Sequence, residues 1–217
     1  ITIHTAFGKT RAYVVSVGAA PKGPVAFNHN MQANISVIDV DTRLEVPGLA
    51  RNLNQLVKDQ QPDSDGDDAK GRRFVNMPMG LAFVGNPSIA VGYVAASGSD
   101  ILLRVEYDAT DNVTVGSLTN FNIAVGQSPQ GLATKNAKLS AKAYVANLVS
   151  RDLSVVSFAD QATINTVEST KTPEEILPID PDAVNVWKGK RFFNTATGIW
   201  SKEGWGSCQA CHFLGMP

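Results

Sequence analysis

An internal repeat is the feature that most constrains how this chain of 217 residues can fold. Two motifs recur at the same shift of 51 residues: PMGLA at 78–82 returns as PQGLA at 129–133, and YVAA at 93–96 returns as YVAN at 144–147. A third stretch, DILLRV at 100–105, matches DLSVV at 152–156 at a shift of 52. An earlier, looser copy combines AYVV at 12–15 with ISVID at 35–39. The equal shifts of the first two motifs argue against a chance similarity.

Each repeat unit predicts three short strands separated by turns, because its apolar runs are rich in Val, Ala, Ile and Tyr. A period of about 40–50 residues with several short strands is typical of one blade of a β-propeller. The sequence therefore predicts a mainly β chain whose residues 1–171 form a partial β-propeller of about three blades. A β-sandwich is the alternative architecture.

The repeat units resemble the YVTN family of β-propeller repeats, whose blades read P-x-G-[LI]-A, then Y-V-[AT]-N, then V-x-V-I-D. The closest matches are YVAN at 144–147 and VID at 37–39, and the resemblance covers roughly residues 10–170. It implies a fold and not an activity, since propellers carry many unrelated functions. A closed propeller needs at least about four blades, so we expect the missing blades to come from further chain or from a neighbouring subunit.

Two insertions are expected in the first repeat unit, at about residues 18–33 and 47–76. Within the second insertion, Asp63, Asp65 and Asp67 alternate in the run DSDGDD. Carboxylates at alternate positions of a tight turn suit calcium. The run lacks the distal glutamate of an EF-hand, so that motif is absent. A solvated acidic loop is the other interpretation.

The sequence CQACH at 208–212 contains both cysteines of the chain. C-x-x-C-H is the motif for covalent attachment of a c-type haem. It predicts that Cys208 and Cys211 bond to the two vinyl groups of one porphyrin and that His212 coordinates the iron. A redox dithiol and a zinc site are alternatives. A structural zinc normally has four protein ligands, and a dithiol motif normally lies in a βαβ unit, which this region does not predict.

Composition changes near residue 172, and all three tryptophans lie in the last 31 residues. Residues 172–179 are predicted to be a linker, and residues 180–217 a short helical haem c attachment segment that is apparently a truncated cytochrome domain. Asp180-Pro181-Asp182 predicts the start of a helix, because aspartate caps helices and proline favours their first turn.

This segment resembles the first haem segment of the di-haem cytochrome c peroxidase group, which includes the MauG-like proteins. The group reads G-[KR]-x-L-F and then S-C-x-x-C-H, and this chain has GKRFF at 189–193 and GWGSCQACH at 204–212. The resemblance covers about residues 180–215. It implies that Cys208 and Cys211 form the thioethers and that His212 is the proximal ligand. Trp200 and Trp205 are predicted to pack near the porphyrin, or else in a core.

The sequence does not identify the ligand on the other side of the iron. A second C-x-x-C-H motif is absent from the sequence, and five residues follow His212. We expect that the polypeptide continues, that the iron is five-coordinate, or that another segment supplies the sixth ligand. His4 and His29 are the other histidines. His29 is the better candidate because it lies in an insertion and not in a predicted strand.

Charge and composition narrow the function classes. The chain has 19 basic and 20 acidic side chains, and this nearly balanced charge does not indicate nucleic-acid binding. No apolar run approaches the roughly 20 residues that span a bilayer. Because haem c attachment takes place outside the cytoplasm, we expect a periplasmic, cell-surface or extracellular protein.

Electron transfer by a single haem c is the first functional prediction, with a redox partner protein or a neighbouring subunit in a homo-oligomer as the partner. The alternatives are part of a di-haem peroxidase or MauG-like oxidoreductase, and a propeller that serves as an interaction or surface module.

Overall fold

The structure, a computed structural model, describes residues 1–20, 22–60, 73–117, 120, 122–135, 141–198, 201 and 204–212. The described part is mainly β, as predicted, with three antiparallel sheets whose strands follow chain order. The first sheet contains β1 (Thr2–Ala6), β2 (Lys9–Ala19), β3 (Met31–Asp39) and β4 (Arg51–Asn52). The second contains β5 (Pro78–Phe83), β6 (Ala90–Ala96), β7 (Ile101–Tyr107) and β8 (Val113–Val115), and β9 (Ile123–Ala124) also pairs with β7. The third contains β10 (Pro129–Lys135), β11 (Lys142–Asn147), β12 (Asp152–Ser157) and β13 (Ala162–Glu168).

The sequence repeat is a repeat of strand pairing. Tyr93 lies opposite Ala82 in the second sheet, and Tyr144 lies opposite Ala133 in the third, which is the same pairing at a shift of 51 residues. Both first strands also carry a bulge directly after their proline. The common bulge indicates that the two units share local backbone geometry as well as sequence.

The third matched stretch has a different alignment in the structure. Ala96 pairs with Ile101 and Asn147 pairs with Asp152, so the shift is 51 residues here too. Asp100 is therefore equivalent to Arg151, and both have a positive φ, 56° and 57°. The expected match of Asp100 with Asp152 is wrong by one residue, because Asp100 belongs to the turn and not to the strand.

Each sheet has two faces, which we call the tyrosine face and the valine face. The tyrosine faces contain Tyr13, Tyr93 and Tyr144, and the valine faces contain the next residue of the same strand, Val14, Val94 and Val145. Side chains alternate between the two faces along a strand. This alternation assigns the remaining strand residues to one face or the other.

The core lies between the sheets, where a tyrosine face packs on a valine face. The first such layer joins the first and second sheets, and the Tyr13 and Phe83 rings lie 4.4 Å apart in it. The second layer joins the second and third sheets, and it contains Tyr93, Ala95, Leu102, Ala143, Val145 and Val156. Complete burial of one such large apolar side chain contributes roughly 1.5–3 kcal/mol.

Parts of the two expected insertions form regular secondary structure. Strand β2 continues to Ala19 and β3 begins at Met31, so the first connection covers residues 20–30. The second insertion contains a 3-10 turn (Pro47–Leu49), strand β4 and helix α1 (Leu53–Gln60). Helix α1 buries Leu53 and Val57 in the first core layer.

Three further helices follow the sheets. Helix α2 (Pro173–Ile176) has a capping box from Thr172 and lies in the stretch that was predicted to be a linker. Helix α3 (Ala183–Asn194) begins three residues later than Asp180. Asp180 instead accepts a hydrogen bond from the backbone N–H of Asp182 (2.8 Å), so it forms the turn before the helix. Helix α4 (Cys208–Cys211) is a single turn.

None of the helices in the described residues is long and apolar enough to cross a bilayer.

Candidate haem-attachment site

Helix α4 places the C-x-x-C-H residues on one helical turn. The backbone N–H of His212 donates to the carbonyl oxygen of Cys208 (2.9 Å), which closes the turn around the motif. Cys208 and Cys211 are both exposed and not joined in a disulfide. Residues three apart on a helix lie on the same side. The two thiols are therefore presented together, and the exposed imidazole of His212 follows directly.

The other side of this turn is buried. Ser207 is 7% exposed and Gln209 is 3% exposed, while the cysteines next to them are exposed. Within the described residues, neither Ser207 Oγ nor Gln209 Oε1 has a hydrogen-bond partner. The motif thus has an inner side that packs on the protein and an outer side that carries the reactive groups.

Trp205 anchors the chain just before the motif. Its ring lies against Phe27 (centroids 6.0 Å apart, edge to face) and against Phe74 (6.1 Å, stacked). Aromatic pairs at these separations contribute roughly 0.5–1.5 kcal/mol beyond their burial. Gly204 precedes the tryptophan with φ +68°, a conformation that glycine adopts without steric cost. Trp205 is half-buried and packs against the first core layer, and its position near a porphyrin stays a prediction.

The chain between α3 and α4 is fastened to the second sheet by Asp100. The hydroxyls of Thr195 and Thr197 donate to Asp100 Oδ2 (2.7 and 2.8 Å). Asp100 Oδ1 accepts from the backbone N–H of Ser128 (2.8 Å), which begins the third sheet region. The backbone N–H of Ala196 also donates to the Gly98 carbonyl (2.7 Å). One buried carboxylate therefore joins three parts of the chain.

Helix α3 rests on the third sheet through Trp187. The indole N–H donates to the carbonyl of Val149 (2.9 Å) in the β11–β12 turn. The guanidinium of Arg151 and the ammonium of Lys190 lie over the indole ring, at 4.6 and 4.7 Å from its centroid. Cation–π contacts of this kind contribute about 0.5–1 kcal/mol at exposed positions.

The described residues between 183 and 212 therefore contact the three sheets in reverse order. Trp187 contacts the third sheet, Thr195 the second, and Trp205 the connection that follows β2 of the first sheet. Side chains from distant parts of the sequence, such as Asp100 and Phe27, thus help to position helix α4. Neither role could be predicted from a local sequence pattern, because the partners of Asp100 and Phe27 beyond residue 183 lie 95 or more residues away.

The two candidate histidines lie in different environments. His4 is 8% exposed, its ring stacks on Phe83 (4.8 Å), and its Nε2 lies 2.9 Å from the Ile89 carbonyl. His29 is half-buried in the same connection as Phe27, with Nε2 3.4 Å from the carbonyl of Lys22. Phe27 touches Trp205, so this connection reaches the chain beside the motif. The structure brings the His29 connection, and not His4, to that region.

Several predicted site residues lie outside the described residues. These are Asp63, Asp65 and Asp67 of the calcium prediction and Trp200 of the haem prediction. In the ranges that are described, no group of three or more His, Cys, Asp or Glu side chains is arranged to hold a metal ion.

No protein-family profile matches the chain, and no curated protein matches it. Among solved structures, it is similar to the crystal structure of a functionally unknown protein from Desulfotomaculum acetoxidans DSM 771. The two share 13% identity with a TM-score of 0.49, and the match covers 79% of this chain and 43% of that one. The chain thus spans less than half the length of that protein.

Proposed function

We propose that this protein is an extracytoplasmic c-type cytochrome that transfers electrons through one covalently bound haem. Cys208 and Cys211 would form the thioether bonds, and His212 would coordinate the iron. The single observation that carries the proposal is the outward side of helix α4, where two exposed free thiols and the following imidazole stand together.

The residues of helix α4 fit a haem better than they fit a structural zinc ion. A structural zinc site would need further ligands, and the described residues provide no such cluster around the cysteines. Both thiols are open to a planar group approaching from outside, while Gln209 occupies the inner side. When bound, the haem iron would supply a one-electron redox couple, and Cys208, Cys211 and His212 would hold it at the end of a segment that contacts three sheets.

The three sheets support a second part of the proposal, that residues 1–171 are blades of a β-propeller. Each sheet contains four strands in meander order, with β9 as a fifth strand in the second sheet, and successive sheets stack face to face. The hairpin turns of these sheets would then form the platform on which the haem segment rests.

His29 is our proposed sixth ligand. Its connection contacts the chain next to the motif through Phe27 and Trp205. A side chain at Gly23 would collide with the His29 ring, so the glycine lets the imidazole lie against the backbone. To bind iron, His29 Nε2 would release the Lys22 carbonyl, a 3.4 Å contact that is weak.

The decisive experiment measures haem in protein that is expressed with a cytochrome c maturation system. We expect one haem per chain in a pyridine haemochrome assay and haem staining on a denaturing gel. Cys208→Ser and Cys211→Ser should each weaken or abolish the stain, since one thioether is lost. Ala210→Ser is the matched control, because it lies between the cysteines on the same turn and should keep the stain.

The same assay separates the alternatives. Two haems per chain would favour a di-haem peroxidase or MauG-like oxidoreductase. Colourless protein whose two thiols are both readily alkylated would exclude haem attachment, and the interaction or surface module would then be the remaining function. His212→Ala should retain part of the haem but lose the low-spin Soret and α-band pattern, and an unchanged spectrum would exclude His212 as a ligand.

A further inference from the structure

Helix α3 has a local positive charge that the chain as a whole lacks. The helix contains Lys188, Lys190 and Arg191 and has no acidic residue, while the whole chain has a formal net charge of -1. Asp182 precedes its first turn, and Glu203 follows the helix in sequence. At roughly 1.5 Å of rise per residue, Lys188 and Asp182 are about 9 Å apart along the helix axis. The middle and the last turn of α3 therefore form a cationic surface.

Two of these cations share one side of the helix with two apolar side chains. The four residues have the spacing i, i+4, i+7 and i+8, which places them on the same side: Val184, Lys188, Arg191 and Phe192. All four are exposed, Val184 by 42% and Phe192 by 52%. The two buried residues of α3 are its first and its last, and they lie on another side. We call the four exposed residues the α3 face.

Helix α3 lies next to the candidate haem-attachment site. It packs against helix α4, which carries the exposed thiols of Cys208 and Cys211. It is held on the protein by Trp187, whose indole N–H donates to the Val149 carbonyl. A protein that docks on the α3 face would therefore lie close to a group bound at the two thiols.

Neither Lys188 nor Arg191 forms an ion pair within the described residues, and the ion pairs found there involve other cations. A permanent apolar cover over the α3 face would bury two unpaired charges, which is strongly unfavourable. A second copy of the chain that met the same face would bring like charges together. Carboxylates on another protein would instead pair with both cations. The charge of the α3 face thus favours an acidic partner.

We propose that the α3 face docks an acidic redox partner protein, an inference that rests on the proposed haem of helix α4. Lys188 and Arg191 attract carboxylates of the partner, and Val184 and Phe192 supply apolar contact. Complementary charge accelerates the association of two proteins and orients them. A helix of 12 residues is about 18 Å long, so the contact is small. Weak interfaces of electron-transfer proteins likewise bury less than about 1,200 Å².

Redox reagents of opposite charge test the proposal in the complete haem-loaded protein. Ferricyanide, a trianion, and tris(phenanthroline)cobalt(III), a trication, each take one electron from ferrous haem, which becomes ferric. In a double variant with Lys188→Glu and Arg191→Glu, ferricyanide should react at least about fivefold more slowly at low salt, and the cobalt complex should react faster. Both differences should shrink at high salt because the charges are screened. Stopped-flow absorbance at the α-band measures the rates.

A second double variant, Lys135→Glu with Lys142→Glu, is the matched control. It makes the same change in net charge at two exposed lysines that lie opposite each other on β10 and β11. Lys142 is at the start of β11, whereas helix α3 contacts the turn after the end of that strand. The control should therefore react with both reagents at nearly the wild-type rates.

A redox-inert anion maps the α3 face without any electron transfer. Hexacyanochromate(III) is paramagnetic, and it broadens the NMR signals of the backbone N–H groups near which it binds. In the wild type, we expect broadening at residues 188–192. This broadening should be lost in the variant with Lys188→Glu and Arg191→Glu and kept in the control. The same spectra show whether each variant keeps the wild-type fold.

The results distinguish a failure of the docking face from a failure of the proposed function. Protein without haem would overturn both, because the α3 face would then have no redox centre beside it. Haem-loaded protein that reacts at equal rates in the α3 variant and in the control would leave the proposed function standing and overturn the docking face. An absence of broadening at residues 188–192 of the wild type would mean that the anion does not reach the helix, and it would overturn the docking face as well.

Discussion

Individual side chains divide the C-x-x-C-H turn into a reactive side and an anchoring side. Cys208 and Cys211 face outward, while Ser207 and Gln209 are buried. The sequence predicts the reactive residues because their chemistry is local, with two thiols and one imidazole within five positions. The burial of Gln209 could not, since it depends on which part of the protein the turn rests on.

His29 gives a prediction at the residue scale. If it is the sixth ligand, His29→Ala should convert the oxidised haem spectrum from low spin toward high spin, with a shifted Soret band and a weaker α-band after reduction. The reason is the loss of one strong-field imidazole from the iron. Exogenous imidazole should restore the low-spin spectrum. Optical spectra of matched samples at equal haem content provide the measurement.

His4→Asn is the control for the His29 experiment. His4 is buried between β1 and the second sheet, where its ring stacks on Phe83. Its substitution should lower stability and leave the haem spectrum unchanged. Should His29→Ala leave the spectrum unchanged while His4→Asn alters it, the assignment of the two histidines is reversed.

The strands and helices themselves differ in how well the sequence predicts them. Strands β5, β6, β10 and β11 follow from the repeat, because the same apolar pattern recurs at a fixed shift. Helix α3 was expected from Asp180 and begins at Ala183, since the side chain of Asp180 forms a turn with the Asp182 N–H instead. The attachment of α3 and α4 to the sheets depends on pairs far apart in sequence, which no local pattern reveals.

Asp100 gives a prediction for how the helical segment is attached. Asp100→Ala removes the acceptor of Thr195 and Thr197 and places alanine at φ 56°. We expect a loss of about 2–3 kcal/mol in the free energy of unfolding, measured by urea denaturation. Hydrogen exchange at the backbone N–H of Ala196, which donates to Gly98, should also become faster.

Asp100→Asn is the conservative control, because asparagine tolerates a positive φ and keeps one acceptor oxygen. Its cost should be about half that of Asp100→Ala. If Asp100→Ala matches the wild type in both stability and exchange at Ala196, the carboxylate does not fasten the segment.

The described part of the molecule is a stack of three similar sheets, and neighbouring sheets pack on one another in the same way. A tyrosine face meets a valine face twice, and the described residues between 183 and 212 contact all three sheets. The number of sheets could be predicted from the repeat, but each unit predicts three strands and the sheets contain four, or five where β9 is added. The partly open outer faces of the first and third sheets could not be predicted, because exposure depends on what lies beside each sheet.

One ion-pair cluster also joins the first and second sheets and makes the contact between them sensitive to acid. Asp111 accepts two hydrogen bonds from the Arg11 guanidinium (2.9 and 3.1 Å) and one from Lys9 (3.0 Å). The hydrogen bonds from Arg11 hold the pKa of Asp111 below its ordinary value of 3.8, with a smaller contribution from Lys9. A carboxylate whose pKa is lower in the folded state stabilises the fold fully above the unfolded-state pKa. That stabilisation is lost as the pH falls through the folded-state pKa.

Asp111→Asn should therefore lower the free energy of unfolding by about 1–2 kcal/mol at pH 7, since Arg11 is buried and would lose its charged partner. The difference from the wild type should shrink as the pH falls below about 4, because the wild-type carboxylate becomes protonated as well. Urea denaturation at several values of pH measures both effects. Asp41→Asn, an exposed carboxylate in the turn after β3, should match the wild type at pH 7. A difference for Asp111→Asn that persists unchanged at pH 2 would mean that the amide disturbs packing and that the ion pair does not join the two sheets.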